Sequence, residues 1–492
     1  MISAQLPALQ VILPMFAAPI AILLRRGKLA WMLALVVTWI AFAISLVLLF
    51  QVLDDGPIQY FFGGWAPPWG IEYRIDALNA FVLVIIGAIG AAVLLFAGPS
   101  VEKEIREGHQ HLFYALVMLL LAGLFGIAIT GDAFNVFVFL EIASLASYAL
   151  IAMGKDRRAL TAAFQYLILG TVGATFFLIG VGLLYAMTGT LNMADMAERI
   201  HEIHDSRAVL TAFAFLTVGI ALKAAVFPMH YWLPGAYAYA PSVVSALLAG
   251  TATKVAVYLL LRFIMIFGAD FAYVALPLGA TLAVLAAIGI LVASSSAILQ
   301  NDAKRLLAFS SVAHLGYIVL GVGLGNDAGV TGGILHMFNH ALAKGAVFLA
   351  MGAVMLQIGA THINKLKGLG AVMPWTMAGF TVAGLSLIGV PLTAGFVSKW
   401  YIVTAAIDRG WWPLAVVMVV SSILAVFYIW RIIDAVYFSP PGANTENVKE
   451  APVIMLAPLW ALAGASVYFG IDSSFPASVA GKAAAIVLAQ MP

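Results

Sequence analysis

Fourteen runs of about 20 mostly apolar residues, each long enough to cross a hydrocarbon layer of about 30 Å, set the first limit on what this sequence can fold into. Their approximate limits are 6–24, 29–50, 77–97, 112–130, 133–153, 160–187, 208–230, 241–267, 271–296, 305–325, 329–358, 374–407, 411–438 and 452–470. Such a chain cannot wet its own surface: 9% of its 492 residues are charged and 64% are hydrophobic, where a soluble domain carries about 25% charged residues. Lipid has to cover most of it. Backbone groups inside lipid must be satisfied within each segment, which leaves the helix as the spanning unit. The expected fold is an all-α integral membrane protein with 14 transmembrane helices. The stretch from Ser473 to Pro492 is apolar but too short and too rich in small residues to count as a fifteenth. Apolar sequence starts at Leu6 with no basic residue before it, and Arg25, Arg26 and Lys28 follow it, which is a first span rather than a cleavable signal peptide.

Lysine and arginine in the connections set the expected orientation. One side collects Arg25, Arg26, Lys28, Lys103, Arg106, Lys155, Arg157, Arg158, Lys304, Arg305, Lys365, Lys367, Arg431 and Lys449. The other collects only Arg74, Arg199, Arg207, Arg262, Arg409 and Lys482. The first side is expected to face the cytoplasm, and both termini the outside, as an even number of spans requires. A net charge of +2 gives no ground for a nucleic-acid partner. The absence of cysteine excludes thiolate-ligated zinc or iron–sulfur centres and any disulfide in this chain.

A weak internal repeat runs at an offset of about 170 residues. Gly131-Asp132-Ala133 pairs with Asn301-Asp302-Ala303, Ser144–Tyr148 with Ala313–Tyr317, and Gly182 and Gly189 with Gly352 and Gly359. Ala225-Val226-Phe227 pairs with Ala394-Gly395-Phe396, which sets His230 opposite Lys399. Each copy holds five spans, so the two copies must be inverted relative to each other, a transporter architecture. The chain then divides into 1–111, an N-terminal three-helix segment; 112–267 and 271–438, the two five-helix repeats; and 439–492, a C-terminal helix and tail. Proline marks a break in spans seven and twelve: Pro228 and Pro234 in the first, Pro391 in the second. Irregular backbone at membrane depth is tolerated only against protein or a water-filled cavity, so breaks at matching places point to an ion path.

Ionisable residues inside spans are costly and as a rule functional. Glu141 lies in span five among apolar neighbours, where it suits either a structural ion pair or a switching pair with Lys223. Lys223 and Lys254 occupy adjacent spans, and a lysine in an apolar site exchanges its proton far more readily than one in water. His336, His340 and Lys344 are spaced by four and share one face of span eleven. Two histidines one turn apart can hold zinc, but no third ligand is evident and the lysine would repel a cation, so a proton wire fits better. Asn339 lies beside that face. Lys399, beyond the Pro391 break, is read as the terminal donor rather than a snorkelling lysine. His230 near Pro228 suits either a relay or the capping of a broken helix. His201-Glu202-Ile203-His204 has the wrong spacing for a zincin site, Gly321, Gly323 and Gly325 sit inside a span rather than after a strand, and no cofactor-binding motif is present.

Leu222–Pro234, Ala240–Ala246, Lys254, Tyr258, His336-(x3)-His340-Ala341-(x2)-Lys344 and Pro391–Lys399 together resemble the core of one family. That family comprises the antiporter-like subunits of respiratory complex I and the D-type and A-type subunits of Mrp multisubunit cation/proton antiporters. The match runs from about Leu112 to Tyr437. It implies fourteen helices in two inverted five-helix bundles and a Glu–Lys–Lys–His–Lys axis, carried here by Glu141, Lys223, Lys254, His336 and Lys399. Within the family, Gly131–Glu141 and the length resemble the D-type subunits of Mrp antiporters, and Lys399 stands where one complex I subunit type carries Glu.

The expected function is proton conduction within a sodium/proton antiporter of several membrane subunits in a bacterial cell membrane. The alternatives are a proton-pumping subunit of complex I or of a membrane-bound hydrogenase, and a stand-alone solute symporter.

Overall fold

The computed structural model describes residues 3–440 and 448–489. Parts of the predicted C-terminal unit 439–492, namely 441–447 and 490–492, lie outside the described residues. The described chain is almost wholly helical: α1 (Leu6–Leu24), α2 (Gly27–Asp55), α3 (Ala77–Glu104), α4 (Gln110–Ile129), α5 (Ala133–Ala152), α6 (Arg158–Thr188), α7 (Met193–Ile203), α8 (Arg207–Lys223), α9 (Trp232–Tyr239) and α10 (Ser242–Gly250) form the first part. The second part holds α11 (Ala252–Phe267), α12 (Leu278–Ile298), α13 (Ala303–Leu324), α14 (Asp327–Ile358), α15 (Leu369–Val372), α16 (Pro374–Ile388), α17 (Ala394–Asp408), α18 (Trp412–Ile433), α19 (Val453–Ile471) and α20 (Ser474–Leu488). One hairpin, β1 (Ile58–Phe61) against β2 (Glu72–Ile75), joins α2 to α3 with Tyr60 opposite Tyr73.

Twelve helices among the described residues are long and apolar enough to cross a membrane, with α10 and α11 counted as one. The other two expected spans, seven and twelve, are broken, into α8 and α9 and into α16 and α17, and neither half reaches spanning length. The tail expected to fall short of a span is α20, a 15-residue helix packed on α3 and α14.

The repeat is visible in backbone pairing. Ala133 N donates to Leu191 O (2.8 Å) and Met193 N to Gly131 O (2.8 Å). The same bonds recur 170 residues on, from Ala303 N to Thr361 O (2.8 Å) and from Ile363 N to Asn301 O (2.9 Å). Asp132 and Asp302 cap α5 and α13 alike, each accepting from the backbone N three residues later. α6 and α14 end alike, at Gly189 and Gly359 with φ of 71° and 74°, where a β-carbon would be strained.

α14 is the centre of the bundle, packed against α3, α10, α13, α16, α17, α19 and α20. Small residues let it close on α13: a β-carbon at Gly321 would lie 2.7 Å from Gly329 O and 2.9 Å from the Gly333 Cα. The glycines that fail as a nucleotide motif thus serve helix packing, and Gly325 turns the chain out of α13 at a φ of 60°.

Candidate functional site

Three lysines lie at the C-terminal ends of broken helices, where free carbonyls and the helix dipole both favour a cation. Lys223 is the last residue of α8, before the irregular stretch 224–231. Lys399 folds back from α17 onto the end of α16 and donates to Leu387 O (3.0 Å) and Ile388 O (2.9 Å). Lys254 lies just past a third break, at Thr251, and its ammonium meets Ala249 O of α10. No proline announces that break; Tyr237 OH, donating to Leu248 O at 3.0 Å, helps to hold it. The breaks of spans seven and twelve each hold a non-glycine residue in the left-handed region, Ala225 (φ 54°) and Leu392 (φ 70°). Such strain persists only where surrounding structure imposes it.

At one end of the site, Glu141 Oε1 stands 3.9 Å from Lys223 Nζ. That ammonium also donates to Ser144 Oγ (2.6 Å) and Tyr148 OH (3.4 Å), and lies 6.0 Å from the centre of the Tyr148 ring. Glu141 is half-buried, so it sits at the flank of the bundle and not deep within it. A cavity of about 40 Å³ separates Lys223 from Ala252, Val255 and Ala256 of α11, room for a few waters.

In the middle, helices of the two repeats pack, α10 on α14 and α11 on α13, around a cluster of histidines. His314 Nδ1 lies 3.0 Å from His336 Nε2, and His336 Nδ1 lies 2.8 Å from Ser398 Oγ. The His340 ring is parallel to both other histidines, with centroids 4.9 Å from His314 and 5.9 Å from His336. Lys254 belongs to α11, which touches α13, and its ammonium meets the end of α10, which packs on α14. Lys344 turns from α14 to α13, donating to Leu307 O at 2.8 Å and meeting Ser310 Oγ. Both ring nitrogens of His340, Nε2 of His314 and Oδ1 of Asn339 are buried with no protein hydrogen-bond partner. Buried polar atoms need partners, and small bridging waters suit these. At the far end Lys399 reaches Ser422 Oγ (3.1 Å) and stands 4.8 Å from the centre of the Tyr317 ring. Tyr317 touches His314 and His336 edge-on, so Lys399 stands over a tyrosine that packs on the histidines, as Lys223 stands over Tyr148.

The structure therefore gathers Lys254, His336, His340, Lys344 and Lys399 and pairs Glu141 with Lys223. His314 is the residue that sequence reasoning left out of the site, although its pairing with the Ser144 segment placed it on the matching helix. Asn339 does not reach into the histidine row; its amide donates to Ala394 O (2.6 Å) and holds the break of span twelve. The His230 ring stacks on Phe227, and its Nδ1 is buried with no side-chain hydrogen-bond partner. It borders a cavity of about 270 Å³ with Arg158, Gln165 and Arg305. That space shares Arg158, Tyr239 and Arg305 with a larger cavity of about 760 Å³ on the basic-rich face.

Two residues counted with the connections are buried inside the bundle. Lys304 is buried at the start of α13 and donates to Ala240 O (2.8 Å) at the end of α9. Arg262 is inside α11, paired with Asp76. Hydropathy marks a charge near a span end as a loop charge and cannot show the partner that lets it stay inside.

A model of a known family, described as NADH:quinone oxidoreductase/Mrp antiporter, TM, matches residues 130–425. The N-type subunit of the NADH-quinone oxidoreductase of Desulforudis audaxviator is 43% identical over 95% of this chain and 96% of its own length. The D-type subunit of the Na(+)/H(+) antiporter of Alkalihalophilus pseudofirmus is 30% identical over 87% of this chain and 85% of its own. A chain in the structure of the Mrp complex from Dietzia sp. DQ12-45-1b superposes with a TM-score of 0.91 at 27% identity, covering 99% of this chain and 98% of that one. The relatives are subunits of multisubunit membrane complexes. A multi-pass helical chain with paired broken helices and this breadth of match belongs to the NADH:quinone oxidoreductase/Mrp antiporter transmembrane family.

Proposed function

We propose that this chain is the proton-conducting subunit of a multisubunit monovalent cation (Na+)/proton antiporter. Protons pass along Glu141, Lys223, Lys254, the His314–His336–His340 cluster with Lys344, and Lys399. The observation that carries the reading is the packing of α10 and α11, which flank Lys254 in the first repeat, against the histidine-bearing α13 and α14 of the second inside the bundle. One repeat, 112–267, supplies the carboxylate–lysine pair and the central lysine; the other, 271–438, supplies the histidines and the terminal lysine. Each lysine rests on carbonyls, hydroxyls or a tyrosine ring, and among the described residues the one carboxylate within 4.0 Å of these lysines is Glu141, 3.9 Å from Lys223. Opening and closing of the Glu141–Lys223 pair couples proton transfer to cation movement elsewhere in the complex.

Spans seven and twelve, counted as crossings despite their breaks, give fourteen spans and put both termini on the basic-poor side. By the distribution of Lys and Arg that side is the outside of a bacterial cell membrane. The cavities reaching His230 then open to the cytoplasm, and His230 borders the access route.

The superposition on the Mrp chain and the likeness to the antiporter's D-type chain support the antiporter reading. A second reading, a proton-pumping subunit of a redox complex, is favoured by the 43% identity to a quinone oxidoreductase chain. Purification of the native complex separates them. Co-purifying small membrane subunits and sodium-driven proton flux in proteoliposomes support the first; iron–sulfur or hydrogenase subunits, with no sodium dependence, replace it with the second. Lys399→Ala, in a complex that still assembles, should abolish the flux.

A further inference from the structure

Arg262 and Asp76 form a buried ion pair that the proton axis does not use. Lys254, Tyr258 and Arg262 are spaced by four on α11, so they climb one face of the helix from the histidine cluster toward the basic-poor side. Arg262 is 9% exposed and Asp76 is 4% exposed. The guanidinium Nη1 donates to Asp76 Oδ2 at 2.6 Å and its Nε to Tyr258 OH at 3.1 Å. Tyr258 OH in turn donates to Ala128 O at 2.8 Å. Asp76 is also the N-cap of α3, and Asn79 of the same cap donates to Ala128 O at 3.0 Å. Three helices, α3, α4 and α11, are thus tied together one and two turns above Lys254.

The one group here that could take up a proton, the Asp76 carboxylate, is held by the Arg262 guanidinium and by the backbone N–H groups of Leu78 and Asn79. A guanidinium keeps its protons in proteins, and the Tyr258 hydroxyl has its own proton donated and a lone pair occupied. Stability is a poor reason for the pair, since apolar side chains of similar volume commonly hold a fold as well or better than a buried ion pair. A fixed cation in a narrow path does exclude protons and other cations.

We infer that the Asp76–Arg262 pair seals the basic-poor side of the first repeat, so that a proton reaching Lys254 leaves through the histidine cluster and Lys399. The inference rests on the proton axis proposed above. Its test uses the whole complex in proteoliposomes under a valinomycin-imposed potassium diffusion potential, with no sodium gradient, and reads passive proton uptake with an internal pH dye. Asp76→Asn/Arg262→Gln removes both charges while Asn keeps the cap, and should leak protons several-fold faster than wild type. Adding Lys254→Ala should return the leak to the wild-type level. Arg262→Lys, which keeps the charge, should stay near wild type. A wild-type leak in the assembled double variant, or a leak that persists without Lys254, overturns the seal. Where the double variant does not assemble, Arg262→Gln alone decides, with a raised, Lys254-dependent leak expected and a wild-type leak overturning. Failure of the axis itself reads differently, as wild-type coupled flux in Glu141→Gln or Lys399→Ala with the seal intact.

Discussion

Glu141→Gln removes a charge and keeps shape, which makes it the sharpest perturbation of the Glu141–Lys223 pair. The Glu141 oxygen that faces Lys223 is buried, and an effective dielectric constant of about 20 serves even for buried sites; at the observed 3.9 Å separation the attraction is about 4 kcal/mol. A coupling of that size corresponds to about three decades in an equilibrium or a rate. If the pair's opening and closing gates transfer, Gln at 141 leaves the lysine held only by Ser144 and Tyr148, and coupled flux falls below detection. Glu141→Asp draws the carboxylate back by about 1.5 Å, which leaves an attraction of about 3 kcal/mol and a partly active transporter. The assay is sodium-driven proton flux in proteoliposomes holding the purified complex, with assembly checked by size-exclusion chromatography. Wild-type flux in the Gln variant, or equal loss in Gln and Asp variants, would refute the electrostatic reasoning.

Other expectations follow from the same contacts. Ser144→Ala takes away the 2.6 Å partner of Lys223, a loss of about 1–3 kcal/mol, and should lower flux without abolishing it; unchanged flux would show the hydroxyl to be idle. His314→Ala should reduce flux as much as His336→Ala does, measured side by side, because the two rings meet at 3.0 Å; a silent His314 would remove it from the cluster. Gly395→Ala drives a methyl into the Ser386 carbonyl at the start of α17, and should lower the melting temperature and the yield of assembled complex. Normal assembly would mean that the break tolerates a shift. The chain reconstituted alone should show no sodium-driven flux, whereas a stand-alone symporter would transport by itself.

Much of this was legible from residues alone. The cost of putting lysine in lipid picks out Lys223, Lys254, Lys344 and Lys399, and proline picks out the breaks at 228 and 391. A spacing of four within one helix sets His336, His340 and Lys344 on a face. What stayed hidden depends on contacts between helices. His314 is one histidine among small residues until α13 closes on α14 through Gly321 and Gly333 and sets it against His336. The Thr251 break has no proline and is held by the Tyr237 hydroxyl and the Lys254 ammonium. Arg262 and Lys304 count by sequence among the charges of the connections, and only their partners, Asp76 and the end of α9, explain why each can sit inside.

The most direct test of the account is proton flux through Lys254→Ala, because the helices around this side chain, α10 and α11, pack on the histidine-bearing helices of the second repeat. An assembled complex carrying Lys254→Ala should show sodium-driven proton flux at the level of empty liposomes. Wild-type flux from that complex would contradict the path, since protons would then be crossing without the central lysine.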